Sequence, residues 1–172
     1  MRSALTTLMT AAAVALVTAQ GAPPAESAKA ELKNAEGQVV GQATLTEAPQ
    51  GVLIQVRLTD VPEGTHAFHI HAVGKCEPPF TSAGGHFNPA TKQHGIENPA
   101  GMHGGDLPNI DVPSGRHLAF DVFNRDVTLK AGPNSLFDAD GSSIVIHQGK
   151  DDYKSDPAGN AGARIACGVV TK

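Results

Sequence analysis

The sequence predicts an all-β domain, an antiparallel sandwich or flattened barrel. Three observations carry this: segments of strand length with apolar–polar alternation, turn residues between them, and no helical periodicity. Lys29 to Lys33 is the first segment, and the turn Asn34-Ala-Glu-Gly37 separates it from the second, Gln38 to Thr46. In the third, Val52 to Thr59, the residues Val52, Ile54, Val56 and Leu58 share one face while Gln55, Arg57 and Thr59 share the other. That is the two-residue period of a half-buried strand. Val61-Pro-Glu-Gly64 then turns the chain into the fourth segment, Thr65 to Ala72, and His117 to Phe123 forms the fifth. Asp140-Gly141 precedes the sixth, Ser143 to His147, and Arg164 to Val170 is the seventh.

The chain of 172 residues suits one domain of ordinary size. Met1 to Ala19 carries Arg2, an apolar run from Ala11 to Val17, and small residues at Val17 and Ala19, the pattern of a cleaved export signal. Its apolar run is well short of the roughly 20 residues needed to span a bilayer, so no membrane association is expected after cleavage. Gln20 to Ser27, rich in Ala and Pro, reads as a disordered leader, and the domain is expected to occupy residues 28–172. An exported chain of this kind is periplasmic in a bacterium and secreted elsewhere.

The only cysteines are Cys76 and Cys167, and an oxidising compartment favours their pairing in a disulfide. Such a bridge would pin the loop around Cys76 to the C-terminal strand. With Arg2 removed, 12 basic residues face 17 acidic ones, so the formal charge moves from −4 to −5. An acidic chain with 4% aromatic residues is not built to bind nucleic acid.

Two stretches interrupt the alternation: residues 74–109 and 148–163, both rich in Gly, Pro, Asn and Asp. Structureless loops this long are uncommon in compact domains unless they are functional or disordered. The first contains His86, His94, His103 and Asp106, residue types that complete tetrahedral zinc sites. Just before it, His69 and His71 fall on one strand face, where two imidazoles can grip one metal ion; imidazole suits copper, zinc, iron and nickel. His147 ends a strand immediately before the second loop. Spacing alone leaves open which histidine serves which metal. The motif His-Glu-x-x-His is absent, which disfavours a zinc protease. His66 shares the opposite strand face with Phe68 and Ile70 and reads as a buried structural histidine, whereas His117 reads as a surface residue.

Together these residues resemble the copper/zinc superoxide dismutases, and the exported bacterial branch more than the eukaryotic cytosolic one. The resemblance rests on Gly64-Thr-His-Ala-Phe-His-Ile-His71, Gly74-Lys-Cys-Glu-Pro78, Ala83-Gly-Gly-His-Phe-Asn-Pro89, His94-Gly95, His103-Gly-Gly-Asp-Leu-Pro-Asn109, Ile144-Val-Ile-His147 and Gly159-Asn-Ala-Gly-Ala-Arg-Ile-Ala-Cys-Gly168. It implies an eight-stranded Greek-key β-barrel or sandwich, immunoglobulin-like, with two long functional loops. It further implies one copper and one zinc per chain. His69, His71, His86 and His147 would hold copper; His86, His94, His103 and Asp106 would hold zinc, with His86 bridging the two.

The implied activity is the disproportionation of two superoxide anions to dioxygen and hydrogen peroxide, with copper alternating between oxidation states. Arg164 would orient the anion and His86 would carry a proton. Asp151, four residues after His147, would link a copper ligand to a zinc ligand from outside the site, with Asp152 as its competitor. The Cys76–Cys167 disulfide would hold the loop near the arginine. Because the second loop departs from the charged pattern of the cytosolic enzymes, substrate guidance falls to local charge, with Lys150 and Lys154 as candidates. Both monomer and homodimer are compatible with the resemblance. The competing reading is an exported copper and zinc storage protein without turnover; an arginine at the substrate position separates the two.

Overall fold

The computed structural model describes residues 25–172. The export signal expected over residues 1–19, and the leader as far as residue 24, lie outside the described residues. Nine strands follow in order: β1 (Ser27–Lys33), β2 (Val39–Ala48), β3 (Gly51–Leu58), β4 (Gly64–His66), β5 (Phe68–His71), β6 (Ile110–Val112), β7 (Leu118–Asn124), β8 (Ser143–His147) and β9 (Arg164–Val169). Among the described residues the one helical element is a single 3-10 turn, Thr81–Ala83. β1 begins one residue before the expected domain boundary, because Ser27 continues the antiparallel ladder opposite Thr46.

Alternation explains the long strands. β1 buries Ala28, Ala30 and Leu32 and exposes the residues between them. β3 buries Val52, Ile54, Val56 and Leu58, the face expected from sequence, and pairs antiparallel with both β2 and β7. Each such apolar side chain contributes roughly 1.5–3 kcal/mol by leaving water. Seven strands form one sheet in the order β5-β8-β9-β1-β2-β3-β7, while β4 and β6 pair separately. β5 and β7 are the two ends of that order, yet Phe68 of β5 and Phe120 of β7 meet edge to face with ring centroids 5.3 Å apart. The sheet therefore curls until its edges face each other across one core. β1, β2 and β3 follow one another as antiparallel neighbours and β9 returns by a long connection to lie antiparallel beside β1, which gives the order β9-β1-β2-β3 of a Greek key.

Among the described residues the strands number nine; counting β4 and β5 as one recovers the expected eight, and the two separate for a local reason. The segment expected as one strand from Thr65 to Ala72 breaks at Ala67, where it exchanges partners. β4 pairs with β6, whereas β5 pairs with β8. The Ala67 N–H donates to Gly149 O at 2.8 Å and its carbonyl accepts from the His147 N–H at 2.9 Å, so its backbone is satisfied by the start of the second loop. β6 has only three residues, too few for a period to register.

Three ties fix the first long loop to this frame. Cys76 and Cys167 form a disulfide across a sequence separation of 91. Asn124, buried at the end of β7, donates from Nδ2 to Gly104 O at 2.8 Å. The backbone of residues 86–87 and 105–106 runs beside β5, with Phe87 N–H bonded to Ile70 O and Ile70 N–H bonded to Gly105 O, each at 2.9 Å. This approach requires glycine at 105: a Cβ there would lie 2.2 Å from Ile70 O.

Candidate metal centre

Strand β5 supplies His69 and His71, β8 supplies His147, and the tied first loop brings His86 beside them. All four are buried, and one ligand atom from each lies within 4.8 Å of the others. In three of these rings, those of His69, His71 and His147, one nitrogen faces an oxygen acceptor outside both groups, which assigns the proton to that nitrogen and leaves the other as a lone pair, whereas His86 turns Nδ1 to Asp106 of the second group. His69 Nε2 donates to Asp151 Oδ2 at 2.9 Å, His71 Nδ1 to Gly84 O at 3.0 Å, and His147 Nδ1 to Gly162 O at 3.4 Å. What remains is His69 Nδ1 and His86 Nε2, both buried without a hydrogen-bond partner, and the Nε2 atoms of His71 and His147, 3.3 Å apart.

A second group lies on the other side of His86. Asp106 Oδ1 is 2.8 Å from His86 Nδ1, 3.0 Å from His94 Nδ1 and 3.2 Å from His103 Nδ1. An ion held tetrahedrally by bonds of about 2.0–2.1 Å spaces its ligands roughly 3.3 Å apart, so this cluster has the dimensions of a zinc site. The other carboxylate oxygen of Asp106 accepts the backbone N–H groups of Gly95 at 2.9 Å and His103 at 3.0 Å, which fixes its orientation. The donor sets suit copper and zinc: four imidazoles in one, three imidazoles and a carboxylate in the other. The unpartnered buried nitrogens are the positive observation, since a buried polar atom without a partner costs about 1–3 kcal/mol unless something binds it.

Asp151 joins the groups from outside. Its Oδ1 accepts His94 Nε2–H at 2.9 Å, and its Oδ2 accepts His69 Nε2–H at 2.9 Å. Its own backbone is clamped by Asn109, which accepts the Asp151 N–H at 2.8 Å and donates to the Asp151 carbonyl at 2.9 Å. The backbone also passes close at Gly159, φ +62°, where a Cβ would fall 1.8 Å from Asp151 Oδ1. Asp152 takes no part in the link: it is half-buried and caps its own loop, accepting the Lys154 and Ser155 N–H groups.

Arg164 opens β9 beside His147. Its guanidinium donates to Phe80 O and, at 2.6 Å, to Gly84 O, the carbonyl that His71 also uses. The Cys76–Cys167 bridge anchors the loop that carries both carbonyls. Lys154 is exposed and paired with Glu97 at 2.8 Å, and Lys150 is exposed. His66 is buried, with its two ring nitrogens against His147 O and Pro62 O, and His117 is exposed.

Electrostatics separate the groups. Burial pushes His69 down to about 4 and His147 down to about 3, and lowers His71 well below 6.5, with the positive charge of Arg164 adding to the effect at His71 and His147. Burial also lowers His103. At His94 burial opposes the charged form, but the carboxylates of Asp106 and Asp151 overcome it and raise the ring to about 9. Both carboxylates stay ionised well below their usual range: burial works against this, and hydrogen bonds from the histidines outweigh it.

For protein stripped of metal by a chelator, these shifts set a pH profile. Depressed histidines lose stability as pH falls below 6.5, because the unfolded chain then binds protons that the fold refuses; at pH 5 each of His69 and His147 costs on the order of 2 kcal/mol. The raised His94 acts in the other sense, its contribution being full below 6.5 and lost as pH climbs through about 9. The metal-free melting temperature should therefore peak near pH 6.5. A flat profile between pH 5 and 8.5 would mean that these rings titrate as free histidines.

Sequence reading missed Asn109, Gly159 and Asp156. The first two lie inside recognised motifs without a ligand's residue type, and Asp156 lies in an irregular loop where nothing distinguishes it from Asp151 and Asp152.

A family model described as copper/zinc superoxide dismutase (SODC) matches residues 39–170. Superoxide dismutase [Cu-Zn] 2 of Aquifex aeolicus is 55% identical over 146 residues, covering 83% of this chain and 85% of that protein. Superoxide dismutase [Cu-Zn] of Caulobacter vibrioides is 45% identical over 148 residues, covering 84% and 85%. Among solved structures, a SOD-like protein from Bacillus subtilis superposes with a TM-score of 0.79 at 39% identity, over 83% of this chain and 97% of that one. With a fold, a pair of ligand groups and relatives that all agree over most of its length, the chain belongs to the copper/zinc superoxide dismutase family.

Proposed function

We propose that this chain is an exported superoxide dismutase that converts two superoxide anions and two protons into dioxygen and hydrogen peroxide. In this reading His69, His71, His86 and His147 hold copper, and His86, His94, His103 and Asp106 hold zinc. One observation carries it: the His86 ring offers Nε2 to one ligand group and Nδ1 to the other. Copper supplies the one-electron chemistry when bound, and zinc, which has none, holds the shared ring.

The protein's own residues do the rest. His86 Nε2 takes up a proton and hands it on, while Nδ1 stays with the second group. Asp151 keeps His69 and His94 in the tautomers that expose Nδ1 to their ions. Arg164, held by two carbonyls, uses its remaining forked donors to orient a small oxygen anion beside the copper ligands. The protein is acidic overall, so attraction of the anion falls to this local charge.

Cleavage of the export signal within the first 20 or so residues and residence in an oxidising compartment such as a periplasm complete the reading, and the disulfide supports them. All the proposed ligands come from one chain, so a monomer carries a whole site and a homodimer would carry two. Among the described residues no helix is long and apolar enough to cross a membrane.

Loading the purified mature protein with copper and zinc should give one of each and accelerate superoxide decay. Arg164→Ala should retain both metals and lose activity by about 10-fold or more, the cost of removing a charge-assisted contact to the anion of roughly 1.5–3 kcal/mol. Metal uptake without faster decay would mean storage, and an unchanged rate in Arg164→Ala would remove the arginine from its role.

A further inference from the structure

Asp156 belongs to neither ligand group, yet one of its oxygens touches the surroundings of two proposed zinc ligands. Asp156 Oδ1 accepts the backbone N–H of His94 at 2.6 Å, and the same oxygen lies 3.8 Å from His103 Nε2. His103 thus stands between two carboxylates, with Asp106 3.2 Å from Nδ1 and Asp156 on the side of Nε2. A neutral imidazole that gives its Nδ1 lone pair to a cation must keep its proton on Nε2. For His103 that proton faces Asp156.

The distance of 3.8 Å is too long for a direct hydrogen bond, so the coupling acts through space or through a water at the half-exposed carboxylate. Asp151 serves His94 in the buried interior; His103 Nε2 has no such buried carboxylate and turns to the rim. We propose that Asp156 is a positioning residue for zinc: its short bond fixes the His94 backbone, and its charge holds His103 in the tautomer that offers Nδ1. This rests on the reading that the second group holds zinc.

The test compares the copper- and zinc-loaded wild type with Asp156→Asn and Asp156→Ala under increasing chelator, measuring retained zinc and copper separately. Asparagine keeps an oxygen for the His94 N–H and removes only the charge, so it should weaken zinc by about 3- to 10-fold; alanine removes both and should weaken it by about 10-fold or more, with copper less affected. Cobalt placed in the zinc group should show a shifted visible absorption in Asp156→Asn. Wild-type zinc affinity and an unchanged cobalt spectrum in Asp156→Asn would overturn the proposal, even if Asp156→Ala fails to fold. A wild-type protein that holds no zinc at this group would overturn the functional reading itself, and this inference with it.

Discussion

Replacing His86 by alanine is expected to weaken both ions at once and to cut superoxide disproportionation by at least about 100-fold. Loss of an outer hydrogen-bond partner typically costs a metal site 10- to 100-fold, and removal of a ligand costs more. His86 is a ligand candidate in both groups, with Nδ1 2.8 Å from Asp106 Oδ1 and Nε2 buried and unpartnered. Alanine at 86 would also leave Asp106 and the facing rings of His69 and His71 lining a buried void, in which their mutual geometry is no longer enforced. Metal analysis and the rate of superoxide decay, measured on the same sample, decide the matter. A variant that keeps one copper and one zinc with wild-type turnover would show that the ring is not shared.

The second large effect concerns the disulfide. Replacing Cys76 and Cys167 together by serine should lower stability by roughly 4–5 kcal/mol, the chain-entropy value for a loop of 91 residues. In a domain of this size that is a fall of about 10–20 °C in melting temperature. Activity should fall too, well below the melting point and with both metals bound, because Arg164 is held by carbonyls of the loop that the bridge anchors. Freed from Cys76, that loop no longer defines where the guanidinium sits. A variant that melts earlier yet turns over superoxide at the wild-type rate at low temperature would confine the bridge to stability.

Much of this was legible in the sequence, for reasons that differ by residue. β3 was readable because its four apolar side chains point into one core, so a period of two has a physical cause. The residues that gather into the two candidate groups were readable as candidates because few residue types bind copper or zinc, and they stand in the motifs that carry the family resemblance. Asp151 could be preferred over Asp152 only through the family's offset; in space the two differ completely, one linking two histidines and the other capping a turn. The split at Ala67 was not readable, since both halves keep the same alternation and only the partner strand changes. Nor was Asp156, whose importance lies in reaching back 62 residues to His94, a closeness that no local pattern encodes.

β9 comes last among the strands in chain order yet lies between β8 and β1. A polypeptide delivered amino terminus first must therefore wait with a gap in its wall, its two flanking strands offering unmatched backbone to any passing neighbour. The same late segment brings Arg164 and Cys167, so closure of the wall and covalent locking coincide with placement of the guanidinium's strand beside His147. Half-made chains are thereby left sticky until the final insertion covers both flanking edges.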